Sequence, residues 1–284
     1  MQQIHVAHSP DSDDAFMFWA LAHNRIDTEG LEFVHHLSDI QTLNEAAKEG
    51  RYELTAISFY AYPFIQDKYA LLSCGSSVGD KYGPVVISKT PMTKEDLAGK
   101  TIAVPGLMTT AYLALKVWYP EAQVEVVPFD QIMDRVADGT YPAGLIIHEG
   151  QLTYLKSGFH KVVDLGEWWF LEASLPLPLG GNAIRRDLGE ETIQKIARVL
   201  KRSVEYGLEH REEALAYAKQ FARDLDESLI DRFVGMYVND MTLEADMEIQ
   251  KSVRLLLFRG YGIGLVPEKP EILFIRPQEL SKTS

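Results

Sequence analysis

Ile4-His5-Val6-Ala7-His8-Ser9-Pro10-Asp11-Ser12-Asp13-Asp14-Ala15-Phe16-Met17-Phe18-Trp19-Ala20-Leu21-Ala22 opens the chain with a complete structural unit. Ile4 to Ala7 is a short apolar, β-branched run, the pattern of a strand. Ser9 to Asp13 follows as a turn and helix cap, since Ser and Asp oxygens satisfy the free amides of a starting helix. Ala15 to Ala22 predicts a helix rich in Phe16, Met17, Phe18 and Trp19, and Leu31 to His35 predicts the next strand. A strand, helix, strand series of this kind begins an α/β fold.

The same alternation continues outward. A helix opens at Asp39 and stops at Gly50; strands are predicted at Tyr52 to Ile57, Tyr69 to Ser73 and Pro84 to Ser88. From Thr93 the pattern restarts. Lys94 to Lys100 reads as a short helix, Thr101 to Val104 as a strand, Thr109 to Val117 as a helix and Val124 to Val127 as a strand. Asp130 to Ala137 reads as a helix, with strands at Ala143 to Ile147 and Lys161 to Asp164. After Leu188 the chain is mainly helical, with Ile193, Ile196, Val199, Leu200, Val204 and Leu208 at helical spacing. A largely parallel sheet and two lobes follow from this order. Residues 1–89 and 181–284 form a larger, discontinuous lobe, and 90–180 an inserted one, with crossings near Ser88 to Pro91 and Pro176 to Gly181. A cleft at their junction is the expected ligand site, because strand ends and helix N-termini converge there. Ser281 to Ser284 reads as a frayed end.

Charge narrows the function. Among 284 residues, 28 Lys and Arg stand against 41 Asp and Glu, a formal charge of −13. No basic run tracks phosphates, which argues against nucleic acid, and anionic membrane surfaces are disfavoured for the same reason. The one cysteine, Cys74, rules out an intrachain disulfide and Cys-cluster zinc sites. The opening residues show neither a basic nor an apolar leader region, and no apolar run approaches the length of a membrane span. The expectation is a soluble, cytoplasmic protein.

Several residues can carry chemistry. Ala143-Gly144-Leu145-Ile146-Ile147-His148-Glu149-Gly150 is an apolar strand ending at His148, whose imidazole can remove a proton at a sheet's carboxyl edge. The plainer reading is a strand-end histidine bonded to a loop. Thr109-Thr110-Ala111-Tyr112 follows a strand and the Pro105-Gly106 turn, so hydroxyls and free amides meet at a helix N-terminus, an anion site or a simple Thr cap. Ser58 ends a strand as a donor at the cleft or as a turn residue. The Asp11 to Asp14 carboxylates either cap the first helix or orient a ligand, and capping is favoured. Phe59 to Phe64 and Trp168 to Phe170 read as core rather than as stacking platforms. Adjacent strand residues face opposite ways, so His35-His36 with His5 and His8 predict no shared metal. Nucleotide and nicotinamide motifs are absent.

Taken together, Ser9-Pro10, Asp14-x-Phe16, Thr42-Leu43-Asn44, Ile57-Ser58, Thr109-Thr110-Ala111-Tyr112, Gly144 to Glu149 and Leu175 to Gly180 resemble the 1,4-dihydroxy-6-naphthoate synthase family of the futalosine menaquinone pathway. The resemblance implies a two-lobed, type 2 periplasmic-binding-protein-like fold. It implies a lyase that converts cyclic dehypoxanthine futalosine to 1,4-dihydroxy-6-naphthoate and dihydroxyacetone without redox cofactor or metal. His148 matches the family's base. Asn44, Ser58, Thr110 and Ala111 match its ligand contacts, with Thr109 beside them and Asp14 as an outer partner. The first loop departs from the family, which has Cys-Pro-Asn before Asp-Thr-Phe where this chain has Asp11-Ser12-Asp13-Asp14-Ala15-Phe16. Two alternatives remain: chorismate dehydratase, which shares the fold, and a non-catalytic small-carboxylate-binding protein, which a missing leader disfavours. The C-terminal helices serve equally as a homodimer surface or as cover for the first lobe.

Overall fold

The computed structural model describes residues 2–222 and 226–279, so the end expected at Ser281 to Ser284 lies outside the described residues. Its strands in chain order are β1 (Gln2–His8), β2 (Leu31–Leu37), β3 (Leu54–Ser58), β4 (Tyr69–Leu72), β5 (Ser77–Gly79) and β6 (Val85–Ser88), then β7 (Thr101–Val104), β8 (Gln123–Val126), β9 (Ala143–Ile146), β10 (His160–Asp164), β11 (Leu177–Arg185) and β12 (Phe274–Ile275). They form two sheets. One has the order β12-β4-β11-β3-β1-β2 with β5 beside β11, and the other has the order β10-β6-β9-β7-β8.

The opening unit forms as its sequence dictates. β1 pairs in parallel with β2 and β3, and the helix Ser12–Ala22 between β1 and β2 is apolar nearly all round. Such a helix is stable only when covered on every side. Phe16, Met17, Phe18 and Trp19 are buried, packed with Ile4 and Val6 of β1 and with Ile193, Ile196, Leu200 and Val204 of the helix Glu190–Glu209. The aromatic runs behave likewise: Phe59, Tyr62 and Trp169 are fully covered.

Two expectations need correction. The sheets are mixed rather than largely parallel, because β11 runs antiparallel to β3, β4 and β5, and β6 runs antiparallel to β9 and β10. A strand returning from the other sheet enters its neighbours' array head to tail. The first passage between sheets also comes between Gly79 and Val85, one strand earlier than the crossing expected near Ser88 to Pro91, because Val85–Ser88 pairs with β9 and β10. The return falls between Asp164 and Leu177, with the helix Leu165–Ala173 on the way.

β11 was not legible as a strand. It contains Pro178 and the Gly180-Gly181 pair, residues that weaken a strand or confine it to an edge or bulge. The structure puts Pro178 opposite Val78 of β5, with the register shifting between Pro178 and Gly180. The missing amide is therefore accommodated at a bulge, and beyond it the strand runs in register with β3 from Gly180 to Ile184.

Candidate functional site

β3 and β7 end at the same place from different sheets. β3 closes on Ser58, and β7 leads through Pro105-Gly106 into the helix Thr110–Trp118. Thr109 caps that helix: its Oγ1 accepts the Tyr112 amide at 3.1 Å and donates to the Gly106 carbonyl at 3.0 Å. Thr110 Oγ1 accepts the Tyr60 amide at 3.1 Å and donates to the Leu179 carbonyl at 2.5 Å, joining the helix start to β11. Ser58, Thr109, Thr110 and Ala111 all line one cavity. Its other walls come from the loop after β1, from Leu179 to Asn182 of β11, and from Phe233 and Tyr237 of the helix Glu227–Tyr237.

Asn44 has a different place from the lining position its family match implied. It is fully buried on the helix Ile40–Lys48, and its amide is taken up by the protein. Nδ2 donates to Ser58 Oγ at 3.1 Å and to the Met108 carbonyl at 3.2 Å, while Oδ1 accepts the Ser58 amide at 2.9 Å. Gln41, one turn earlier, accepts the Met108 amide at 2.9 Å. Helical spacing puts both residues on one face, so a helix beside the first sheet grips the loop that starts the helix of the second. Gln41 escaped the sequence reading.

His148 lies just past β9, half-buried, with Nδ1 accepting the Gly150 amide at 3.0 Å and its ring edge-on to Phe129 at 5.9 Å. The neighbouring Ile147 lines the cavity. A Cβ on Gly150 would come within 2.7 Å of His148 Cε1 and of Met133 Sδ, so only glycine leaves room for this ring position. The segment after His148 is tied to the first sheet's side. Ser12 Oγ donates to Glu149 Oε1 at 3.0 Å, and the Tyr237 hydroxyl donates to Gln151 Oε1 at 2.7 Å.

The acidic loop is part of the cavity wall: Asp11, Asp13 and Asp14 all line it. Capping, the favoured reading, is not what their side chains do: Asp11 stands at the N-cap without a side-chain cap bond. Asp14 instead accepts the Ser9 amide at 2.7 Å and holds the loop closed. Burial raises the Asp14 carboxyl to about 6. Burial, then repulsion from Asp14, Asp11 and Glu149, holds the Asp13 carboxyl well above the usual range. Burial thus favours the protonated form of these carboxyls, while the start of the Thr110 helix presents backbone amides to an anion, with the Ser58 hydroxyl in the same cavity wall.

The histidines of β1 and β2 pair off, His5 Nδ1 with His36 Nε2 at 2.8 Å and His8 Nε2 with His35 Nδ1 at 3.2 Å. His35 and His36 thus face opposite ways. His8 stacks on Phe18 with ring centres 4.3 Å apart, and burial pushes it down to about 4.

Sequence reasoning also missed Asn182, Gly75, Phe233 and Tyr237 in the cavity wall. The Gly180-Gly181 pair, a place where a chain makes room for something close, was the one local signal for β11. Phe233 and Tyr237 had none, since their spacing matches a core helix.

Residues 4–262 match the family described as menaquinone biosynthesis. A curated relative from Thermus thermophilus, a 1,4-dihydroxy-6-naphthoate synthase, is 41% identical over 277 residues, covering 97% of this chain and 100% of that one. A crystal structure of an Archaeoglobus fulgidus protein superposes with a TM-score of 0.89 at 46% identity, covering 93% of this chain and 98% of that one. A Candida albicans protein described as having the generic periplasmic binding protein fold superposes at a TM-score of 0.73 and 13% identity, covering 95% and 92% of the two chains. That last likeness is of fold alone, and it agrees with the periplasmic-binding-protein-like α/β architecture expected from the sequence. With the family match running through both sheets and every wall of the cavity, the chain belongs to the menaquinone biosynthesis family.

Proposed function

We propose that this protein is a 1,4-dihydroxy-6-naphthoate synthase, a carbon–carbon lyase that converts cyclic dehypoxanthine futalosine to 1,4-dihydroxy-6-naphthoate and dihydroxyacetone. The observation that carries the reading is the meeting of Ser58, Thr109, Thr110 and Ala111 at one helix N-terminus inside a single cavity. Backbone amides there, together with the Ser58 hydroxyl, hold the substrate carboxylate without Lys or Arg. The acidic wall disfavours a second anionic group and suits a polar, uncharged portion of the same molecule.

His148 is the base in this reading. With Nδ1 accepting from Gly150, the neutral ring carries its proton on Nε2. The ring becomes a base when substrate takes the place of the Gly150 amide at Nδ1, so the turn after β9 has to shift as the lobes built on the two sheets close on the ligand. Closure also excludes water from the intermediates. A positioned base of this kind contributes about 10²–10⁴-fold.

A small-molecule carboxylate substrate and a cytoplasmic location go with this reading, and no helix among the described residues is long and apolar enough to cross a membrane. The test is incubation of purified protein with cyclic dehypoxanthine futalosine, with the naphthoate product followed by chromatography and mass spectrometry. Product formation is expected. Its absence from folded protein removes the lyase and directs the search to chorismate, then to binding of small carboxylates.

A further inference from the structure

We propose that Asn182 is a specificity-determining residue of this cavity, its side-chain carbonyl accepting a hydrogen bond from a ligand hydroxyl. The inference rests on the carboxylate-binding role given above to the Thr110 helix end, and it adds a second recognition point.

Strand register sets the position. Gly180 of β11 pairs with Ser58 of β3, and Asn182 pairs with Ala56. Residues two apart on a strand share a face, so Ser58 and Asn182 look into the same cavity, about 7 Å apart along the strand direction. Ala56 and Gly180 leave the space between them open, and all four line the cavity.

Asn182 is 1% exposed. Its Nδ2 donates to the Gly75 carbonyl at 2.9 Å. That carbonyl can only accept, so the amide's orientation is fixed with nitrogen towards Gly75 and oxygen away from it. Oδ1 has no hydrogen-bond partner among the described residues. Gly75 makes the arrangement feasible: it has φ +76°, and a Cβ there would lie 2.3 Å from Asn182 Nδ2.

A buried acceptor left without a donor is costly, and behind this wall the buried amide of Asn44 is fully used. Asn182 Oδ1 is therefore satisfied by something that enters the cavity. It has to be a donor, because a carboxylate or ketone oxygen offers only lone pairs. The neighbouring Asp11, Asp13 and Asp14 further exclude an anionic group from this end. The ligand class is a carboxylate that carries a neutral hydroxyl far enough from its carboxyl group to reach β11 while the carboxyl sits at Thr110.

The test compares two ligands that differ only in hydroxyls, 1,4-dihydroxy-6-naphthoate kept reduced and unsubstituted 2-naphthoate, by calorimetric titration of wild type, Asn182→Ala and the volume-keeping Asn182→Leu. Wild type is expected to bind the dihydroxy compound about tenfold more tightly. In both variants that ratio should fall to near one, with 2-naphthoate affinity held within about twofold. Equal binding of the two ligands by wild type, binding of neither, or an equal loss of both in the variants overturns the assignment. Turnover of the cyclic substrate by the same wild-type preparation tests the lyase separately. Hydroxyl discrimination without product keeps Asn182 and removes the reaction, whereas product without discrimination does the reverse.

Discussion

Asn44 clamps Ser58 from both sides, its Nδ2 donating to the Ser58 hydroxyl at 3.1 Å and its Oδ1 accepting the Ser58 amide at 2.9 Å. The same Nδ2 reaches the Met108 carbonyl at 3.2 Å, so one amide fixes the end of β3 against the loop that begins the Thr110 helix. Asn44→Ala leaves buried backbone groups of Ser58 and Met108 without partners. It should lower stability by about 2–3 kcal/mol in urea unfolding and kcat/KM by about 10²-fold, because the anion site loses its alignment. Activity within twofold of wild type would show that Ser58 is held by other contacts.

Thr110→Val tests the helix end itself. Its hydroxyl serves the Tyr60 amide and the carbonyl of Leu179, a residue of the cavity wall. Valine keeps the volume and removes both bonds. KM should rise about tenfold with a smaller change in kcat, and an unchanged KM in steady-state assays would reduce Thr110 to a joint between β11 and the helix.

Gly150→Ala tests His148 without touching it. The added methyl would lie 2.7 Å from both His148 Cε1 and Met133 Sδ, so the ring must move. Turnover should fall about 10²-fold with KM near its wild-type value, and His148→Ala should fall further, towards 10⁴-fold. Near-normal turnover in His148→Ala would remove it as the base, whatever Gly150→Ala does.

The pH dependence of stability isolates Asp14. Its carboxyl is raised to about 6 in the folded protein from an ordinary value of 3.8, with burial as the main cause. The folded state therefore holds a proton that the unfolded chain releases, and this contribution is present below pH 4 and lost as pH rises through about 6. Asp164, raised to about 6 by burial, acts in the same direction. His8 and His35, both pushed down to about 4 mainly by burial, act oppositely, losing stability as pH falls below 6.5. Asp14→Asn cancels the Asp14 part and also removes the repulsion that helps raise Asp13, which acts in the same direction. The variant minus wild-type difference in Tm should be positive at pH 7 and shrink between pH 6 and 4; a flat difference curve counts against a raised Asp14.

How much of this was legible can be judged strand by strand. The β1 unit was plain because local forces agree there: an apolar run, a Pro-Asp-Ser turn and a helix too apolar to stand in water. Thr109 and Thr110 could be placed at a helix start from the Pro105-Gly106 turn alone, and the structure puts both in the cavity wall. β11 was hidden because Pro178 and Gly180-Gly181 speak against a strand, and only the bulge against β5 lets that sequence pair. The early passage between sheets was hidden too. Val85 to Ser88 carries a strand pattern that fits either sheet equally well.

By itself the sequence determined the elements, the α/β class and the chemical character of each loop, since these follow from spacing, caps and turn residues within a few positions of one another. Tertiary structure alone decided which side chains share the cavity. Asn44 became a clamp because Ser58 and Met108 are close in space and remote in sequence. The Asp13 and Asp14 carboxyls are raised because the fold buries them together. Asn182 turned towards the ligand because the carbonyl of Gly75, 107 positions away, occupies its other end. Burial and partnership are properties of the packed chain, and no local pattern encodes them.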